Sequence, residues 1–222
     1  MPASQPLTKT AIMDAAEQLF AARGFKSTSL RAITSAANAN LGAVNYHFES
    51  KDALILAVLS RRMRPLNEQS AALLRQLETA PHPPGVEAIL DALFRPAVEL
   101  IAMRSKTGRN FLRLIGFTFS EPGDYLKPLI QEQLSGKLHQ FHQALRRALP
   151  SLSEEDVFWK MHLSYGAFLH TVSNPHLLQL ISGGICKVAD SETTLRHIVT
   201  FCSAGFTVDA SSLNEPLTTN YR

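Results

Sequence analysis

Residues 41–48 carry side chains whose types and spacing suit contact with DNA. On a helix, Leu41, Val44 and Phe48 form one apolar stripe. The opposite face then presents four residues: Gly42, Ala43, Tyr46 and His47. Small residues let a helix backbone approach a partner closely, while Tyr and His can donate to phosphate oxygens or touch base edges. The alternative is an amphipathic hairpin with no partner.

The segment before this helix predicts a second helix and a tight turn. Leu30, Ile33 and Ala37 repeat the i, i+3, i+7 apolar spacing. Asn38 can turn the chain because Asn accepts the left-handed backbone conformation more readily than other non-glycine residues. Asn40 can then cap the following helix. Two short helices joined in this way predict a helix-turn-helix.

An earlier helix over residues 7–23 completes a three-helix head. Gly24 ends it, and Phe25 can fold back onto its apolar face. Thr28 is a suitable N-cap for a helix that begins near Ser29.

Ser50 is a suitable N-cap for a fourth helix, with Lys51 at its first position. A DNA phosphate would satisfy both, although an exposed Lys in a first turn is common. Apolar periodicity continues to about residue 64. Three arginines lie near that point, namely Arg61, Arg62 and Arg64. Their first interpretation is as partners of the helix dipole at a C-terminus, and DNA contacts are the second. Pro65 predicts a kink or a new segment.

The rest of the chain predicts more helices and no strand. Helical patterns cover about residues 86–103, 107–119, 125–149, 154–173 and 192–209, and residues 80–85 form a loop. The tail, 211–222, is polar and expected to be loose. We therefore predict an all-α fold, with a helix-turn-helix DNA-binding domain over residues 1–52 and a larger helical domain over residues 53–222.

Composition is that of an ordinary globular protein. The 222 residues carry a formal net charge of +3, which is compatible with a nucleic-acid partner. No apolar run would span a bilayer and residues 1–10 hold no signal core, so a cytoplasmic location is expected. The two cysteines, Cys186 and Cys202, have no metal-like spacing.

The head resembles the TetR family of bacterial transcriptional repressors. Four dipeptides stand at the family's spacing: Gly24-Phe25, Thr28-Ser29, His47-Phe48 and Ser50-Lys51. Asn38 departs from the family pattern, where Gly is usual, and Asn45 stands where Tyr is common. Residues 45–48, 111–120 and 158–162 are similar to the fatty-acid-responsive branch that controls β-oxidation genes.

The resemblance implies a homodimer that reads a palindromic DNA operator, with residues 53–222 as its effector-binding and dimerisation domain. Phosphate contacts carried over by position are Thr28, Arg31, Tyr46, His47 and Lys51. The residues nearest the bases would be Asn40, Gly42, Ala43 and Asn45. Asn45 lies on the flank of the helix, so packing within the head is its alternative.

The last two helices are expected to form the dimer interface. The final helix carries apolar and small residues over about half its circumference, namely Leu195, Ile198, Val199, Cys202 and Phe206, with Phe201 and Gly205. Such a face needs a second partner, which a symmetry-related copy would supply. The alternative is a helix central to its own domain.

The resemblance also implies an apolar effector, such as a fatty acid or acyl-CoA, bound between helices. Its candidate pocket residues are Phe94, Val98, Ile101, Phe111, Arg113, Leu114, Phe117, Phe141, Trp159, Tyr165 and Phe168. Arg109 and Arg113 could pair with an acidic headgroup or lie exposed. A drug- or dye-responsive repressor of an efflux system is the alternative.

An enzyme or a metal sensor is the remaining alternative class. His139 and His142 are three residues apart, and His162 and His170 are two turns apart. No acidic ligand accompanies them, and the sequence has neither a nucleophile motif nor a phosphate-binding loop. We expect no catalytic residue, no metal and no cofactor.

Overall fold

The computed structural model describes residues 5–103, 105–173, 175–186 and 190–208, which are mostly helical and contain no strand. The predicted all-α class is confirmed. The helices are α1 (Gln5–Arg23), α2 (Leu30–Ala36), α3 (Leu41–Phe48), α4 (Lys51–Glu78), α5 (Val86–Ala102), α6 (Lys106–Ser120), α7 (Leu126–Leu129), α8 (Ser135–Ala148), α9 (Glu154–Ser173), α10 (Pro175–Ile181) and α11 (Ser191–Thr207). The predicted tail, 211–222, lies outside the described residues.

The chain forms two compact units. The first unit combines Met1–Gln69 with Pro96–Leu138, and the second combines Ser70–Arg95 with His139–Arg222. These units are defined by contacts between residues. The predicted domain boundary between residues 52 and 53 is instead a division by function, and it stays a prediction.

The first unit packs its three-helix head around apolar residues of α1. Ile12, Ala16 and Phe20 are fully buried, as the spacing on the sequence predicts. Gly24 ends the helix with a φ of 84°. The Phe25 ring then meets the Phe20 ring edge to face, with centroids 5.4 Å apart, so the predicted fold-back is confirmed.

Helix α4 contradicts one of the two alternatives predicted for Pro65, a new segment, whereas a kink at this residue stays a prediction. The helix continues through this proline to Glu78. Arg61 and Arg62 therefore lie in mid-helix and are not partners of a helix C-terminus. Both instead bind the carboxylate of Glu17 on α1, which is only 3% exposed. An ion cluster between α1 and α4 was not predicted, because sequence spacing does not show which distant carboxylate an arginine meets.

The predicted single helix over residues 125–149 is three segments. A π-helical segment, Ile130–Leu134, separates α7 from α8. Asn67 of α4 donates its side-chain amide to the carbonyl of Gln133 at 2.6 Å, so a carbonyl of this wider turn has a partner from outside. Apolar spacing does not reveal such a one-residue insertion.

The second unit packs α9 against α11. Lys160 of α9 donates through Nζ to the carbonyls of Gly205 at 2.6 Å and Val208 at 3.0 Å. A lysine in this place satisfies carbonyls at a helix C-terminus and suits the helix dipole. The rings of Phe94 and Phe168 stack with centroids 4.8 Å apart.

Candidate nucleic-acid interface

The turn between α2 and α3 has the predicted geometry. Asn38 adopts a φ of 49°, in the left-handed region that Asn tolerates. The side-chain oxygen of Asn40 accepts from the amide of Ala43 at 2.8 Å, so the predicted cap is confirmed. Asn38 thus sets the backbone direction of the turn, and Asn40 supplies the hydrogen bond that begins α3.

Helix α3 presents the predicted small and polar face to solvent. Val44 is fully buried and Phe48 is 5% exposed, whereas Tyr46 is 70% exposed. Gly42 and Asn45 are also exposed, and Ala43 and His47 are half-buried. The exposure of Asn45 rules out its alternative of packing within the head. The prediction for Leu41 was wrong, because this side chain is exposed and does not belong to the buried apolar stripe of α3.

Thr28 does not have the expected phosphate-binding role. It is 1% exposed, and its hydroxyl donates to the Gly24 carbonyl at 2.8 Å. Nor is it the cap of α2, because Ser29 Oγ accepts from the amide of Ala32 at 3.2 Å. The Thr28 hydroxyl therefore braces the end of α1, while Arg31 is exposed and remains a candidate contact.

The junction between α3 and α4 is tight. Glu49 has a φ of 63°, and the amide of Ser50 donates to the carbonyl of Phe48 at 2.6 Å, which makes a γ-turn. Ser50 Oγ accepts from the amide of Ala53 at 3.0 Å, so the predicted cap of α4 is confirmed. Lys51 Nζ contacts the Lys26 carbonyl at 3.4 Å. This arrangement brings an ammonium group and the first turn of α4 to the end of α3, which suits an anion.

Two further cations near this surface were missed by sequence reasoning. Lys9 Nζ lies 5.7 Å from the ring centroid of Phe48, at the end of α3. Lys26 is exposed between α1 and α2. Neither belongs to a DNA-binding motif of its own, so only the packing of the head reveals where they lie.

The predicted effector residues are divided between the two units. In the first unit Val98, Phe111 and Leu114 are buried, Ile101 and Phe117 are half-buried and Arg113 is exposed. In the second unit Phe94, Phe141 and Phe168 are buried and Tyr165 is half-buried. Trp159 is 58% exposed and lines a surface cavity of about 680 Å³. Leu114 and Phe141 have no exposed surface, as expected for core residues. The effector pocket therefore stays a prediction.

Inside the second unit, Tyr165 has a buried hydroxyl without a hydrogen-bond partner in the described residues. Its ring meets the Phe94 ring edge to face, with centroids 5.5 Å apart. Burial raises the pKa of this hydroxyl, because the charged phenolate would lose its hydration. A neutral donor in an aromatic surrounding suits a ligand that offers an oxygen acceptor.

The structure corrects the prediction that the apolar residues of α11 form the dimer interface. Leu195, Ile198, Val199, Cys202 and Phe206 are all 2–8% exposed within the second unit of a single chain. The apolar face on which the prediction rested therefore packs in its own domain, which was the alternative. Phe201, by contrast, is 71% exposed.

The histidines form no metal centre in the described residues. No group of three or more His, Cys, Asp or Glu side chains there could hold an ion. His139 and Gln143 contact each other through their Nε2 atoms at 2.8 Å.

A helix-turn-helix whose second helix exposes small and polar residues, followed by further helices, is typical of a class of helical DNA-binding regulators. Residues 12–58 match the family described as bacterial regulatory proteins, tetR family, and residues 91–205 match the tetracyclin repressor-like C-terminal domain. The chain belongs to the TetR family of transcriptional regulators.

Two curated relatives indicate the range of similarity. The regulator UidR of Escherichia coli is 39% identical over 72 residues, which is 32% of this chain. In that match the chain spans only 33% of the length of UidR. The regulator SrpR of Pseudomonas putida is 26% identical over 161 residues, covering 72% of this chain and 70% of SrpR.

Solved structures share the fold at lower identity. FadR of Bacillus subtilis, in complex with stearoyl-CoA, has a TM-score of 0.65 at 15% identity, covering 88% of this chain and 98% of FadR. NalD of Pseudomonas aeruginosa has a TM-score of 0.61 at 22% identity, covering 91% of this chain and 98% of NalD. Among the described residues, no helix has the length and apolar character needed to cross a membrane.

Proposed function

We propose that this protein is a cytoplasmic homodimeric repressor that binds a palindromic operator and is released from it by an apolar small molecule, such as a fatty acid or acyl-CoA. The observation that carries the proposal is the outward face of α3, where Tyr46 is 70% exposed beside Gly42. An exposed aromatic side chain, next to a helix backbone that carries small residues, suits contact with a groove of DNA.

The roles on this face follow the family pattern, and the structure adds to it. Tyr46, His47, Arg31 and Lys51 hold phosphates, and Lys9 joins them because of its place beside Phe48. The residues that approach base edges are Gly42, Ala43 and Asn45. Asn40 contributes mainly by capping α3, since its side-chain oxygen already accepts from Ala43. The head corresponds to residues 1–52 and the effector and dimer regions to residues 53–222.

Dimerisation uses the outer face of α9 and α11 instead of the buried face first predicted. Trp159, Leu163 and Phe201 are 58%, 64% and 71% exposed, and Val208 is 57% exposed. Gly166, Ala204 and Gly205 lie exposed among them and leave room for close helix approach. A second copy covering this face would form a four-helix arrangement. Two heads are needed because one short recognition helix reads too few bases.

The nature of the effector has two candidates. The FadR structure contains stearoyl-CoA, and its fold similarity supports the fatty acyl proposal. NalD is described as a repressor of a multidrug efflux pump, which supports a drug-responsive alternative. In both cases release follows if the ligand binds more tightly to a subunit arrangement that does not fit two successive major grooves.

The decisive experiment selects operators from a random DNA pool with the purified chain and measures binding by fluorescence anisotropy. We expect an enriched palindrome that Tyr46→Ala binds at least about tenfold more weakly, at a cost typical of losing a central contact. No enriched sequence, or an unchanged affinity of Tyr46→Ala, would overturn the proposal. Adding stearoyl-CoA or a panel of cationic dyes to the complex then separates the two effector classes by which one releases the DNA.

A further inference from the structure

A second candidate ligand site lies between the end of α8 and the start of α9, inside the second unit. A cavity of about 490 Å³ there is lined by His139, His142, Gln143, Arg146, Arg147 and Glu154. The cavity belongs neither to the DNA-binding face nor to the predicted effector residues. Its lining offers two imidazoles, two guanidinium groups and one carboxylate.

Two of the lining residues hold buried nitrogen atoms that have no hydrogen-bond partner in the part of the chain that the structure describes. His142 is 5% exposed, and its Nε2 atom finds no hydrogen-bond partner in the described residues. The same holds for Nη1 of Arg146, one turn further along α8. The ring of His142 is held in place by stacking on Phe158, with centroids 4.2 Å apart. A buried donor without an acceptor is costly, and more so when it carries charge.

The neighbouring arginine provides an internal comparison. Arg147 lines the same cavity but already pairs with Glu78. No described ion pair involves Arg146. Among the described residues, one guanidinium of the cavity is therefore paired with a carboxylate and the other is not.

The other sources of affinity in this cavity are weak. The amide of Asp156 already donates to Ser153 Oγ at 3.1 Å, and acidic residues fill the first turn of α9, so that helix N-terminus contributes little. A metal ion is disfavoured because the described residues contain no group of three or more His, Cys, Asp or Glu side chains that could hold one. Glu154 lines the same cavity and repels an anion unless it turns to pair with Arg146.

We propose that this cavity binds a small oxyanion, a carboxylate or a phosphate group, through Arg146 and His142. The anion supplies the acceptor that Arg146 lacks, and His142 donates to it in the tautomer that carries a proton on Nε2. His139 and Gln143 form the outer wall. The site is independent of operator binding, so its failure leaves the proposed function intact.

The test is calorimetric titration of the full chain with sodium phosphate and, separately, sodium acetate at constant ionic strength. We expect saturable binding of one anion per chain to at least one of the two probes, and the probe that saturates identifies the group. Arg146→Gln should lower the affinity about tenfold or more, as expected for losing a charged hydrogen bond. Arg147→Gln removes the same charge from the same cavity and should lower it less than about threefold. Non-saturable binding, or equal losses in both variants, would overturn the proposal.

Glu154→Gln separates the proposal from its strongest rival, an internal pair between Glu154 and Arg146. If the anion site is correct, removing this carboxylate strengthens anion binding by several-fold and leaves the melting temperature unchanged or higher. If Glu154 is instead the partner of Arg146 in solution, the variant melts at a lower temperature and gains no affinity, which would contradict the proposal.

Discussion

The backbone amide of Lys26 donates to Oε2 of Glu121 at 2.7 Å, across 95 residues of sequence. The carbonyl of the same lysine lies 3.4 Å from Nζ of Lys51, a candidate phosphate contact. One residue of the loop between α1 and α2 is thus connected to the end of α6 and to the first turn of α4. Tyr125 supports the acceptor, since its hydroxyl donates to the Glu121 carbonyl at 2.9 Å. The position of the DNA-binding face therefore depends on the residues that follow α6.

Gly24→Ala should destabilise the first unit. Gly24 has a φ of 84°, and a Cβ there would lie 2.6 Å from Oε1 of Glu121 and 3.2 Å from the Phe117 ring. The left-handed backbone alone costs an alanine about 1–2 kcal/mol, and displacing Glu121 adds to this. We expect a total loss of about 1–3 kcal/mol, within the usual range for single substitutions, measured by urea denaturation.

Gly116→Ala is the matched control for this substitution. Gly116 lies within α6, and a Cβ there would meet no atom within 4 Å. Alanine is favoured over glycine in a helix by up to about 1 kcal/mol. The control should therefore be neutral or stabilising, and equal losses in both variants would contradict the role given to the Gly24 turn.

The head could be predicted from the sequence because its determinants are local. Asn38, Asn40 and Ser50 act on residues within a few positions of themselves, and each has the predicted conformation or hydrogen bond. Glu17 and Glu121 act on residues far away in the chain, so their partners required the structure. The same reason explains the error on α11, where periodicity identified the apolar face but not whether its own domain or a second copy covers it.

Lys51→Gln should weaken operator binding equally across DNA sequences. A lysine that neutralises one phosphate releases about one counterion, so its loss should lower the slope of log affinity against log salt by about 1. Lys127→Gln, an exposed lysine on α7, makes the same charge change outside the head and should leave the slope unchanged. An unaltered slope in Lys51→Gln, measured by anisotropy between low and moderate salt, would remove Lys51 from the interface.

Glu17→Gln should destabilise the packing of α1 against α4. The Glu17 carboxylate accepts from Arg61 at 2.5 Å and from Arg62 at 2.9 Å, and an amide at this position would turn donors toward two cations. Breaking a buried ion pair costs about 3–5 kcal/mol, and we expect the lower end because the arginine side chains are 24% and 29% exposed.

Chemical denaturation of Glu17→Gln beside Glu68→Gln tests this expectation. Glu68 is an exposed residue of the same α4, so its substitution changes the net charge equally and should shift the stability by less than about 0.5 kcal/mol. A similar small effect in both variants would mean that the cluster between α1 and α4 contributes nothing to stability.

Phe201→Asp should convert the dimer into a monomer. Phe201 is 71% exposed on α11, which packs against α9. A carboxylate at this position would be buried without a partner when two copies meet through the proposed interface. Phe119→Asp is the control, because Phe119 is 65% exposed on α6, outside the proposed interface, and its replacement should leave the dimer intact. Sedimentation equilibrium over a range of concentrations measures both. If wild type and Phe201→Asp have the same mass, the outer face of α9 and α11 is not the interface, whereas a monomeric wild type would contradict dimerisation itself.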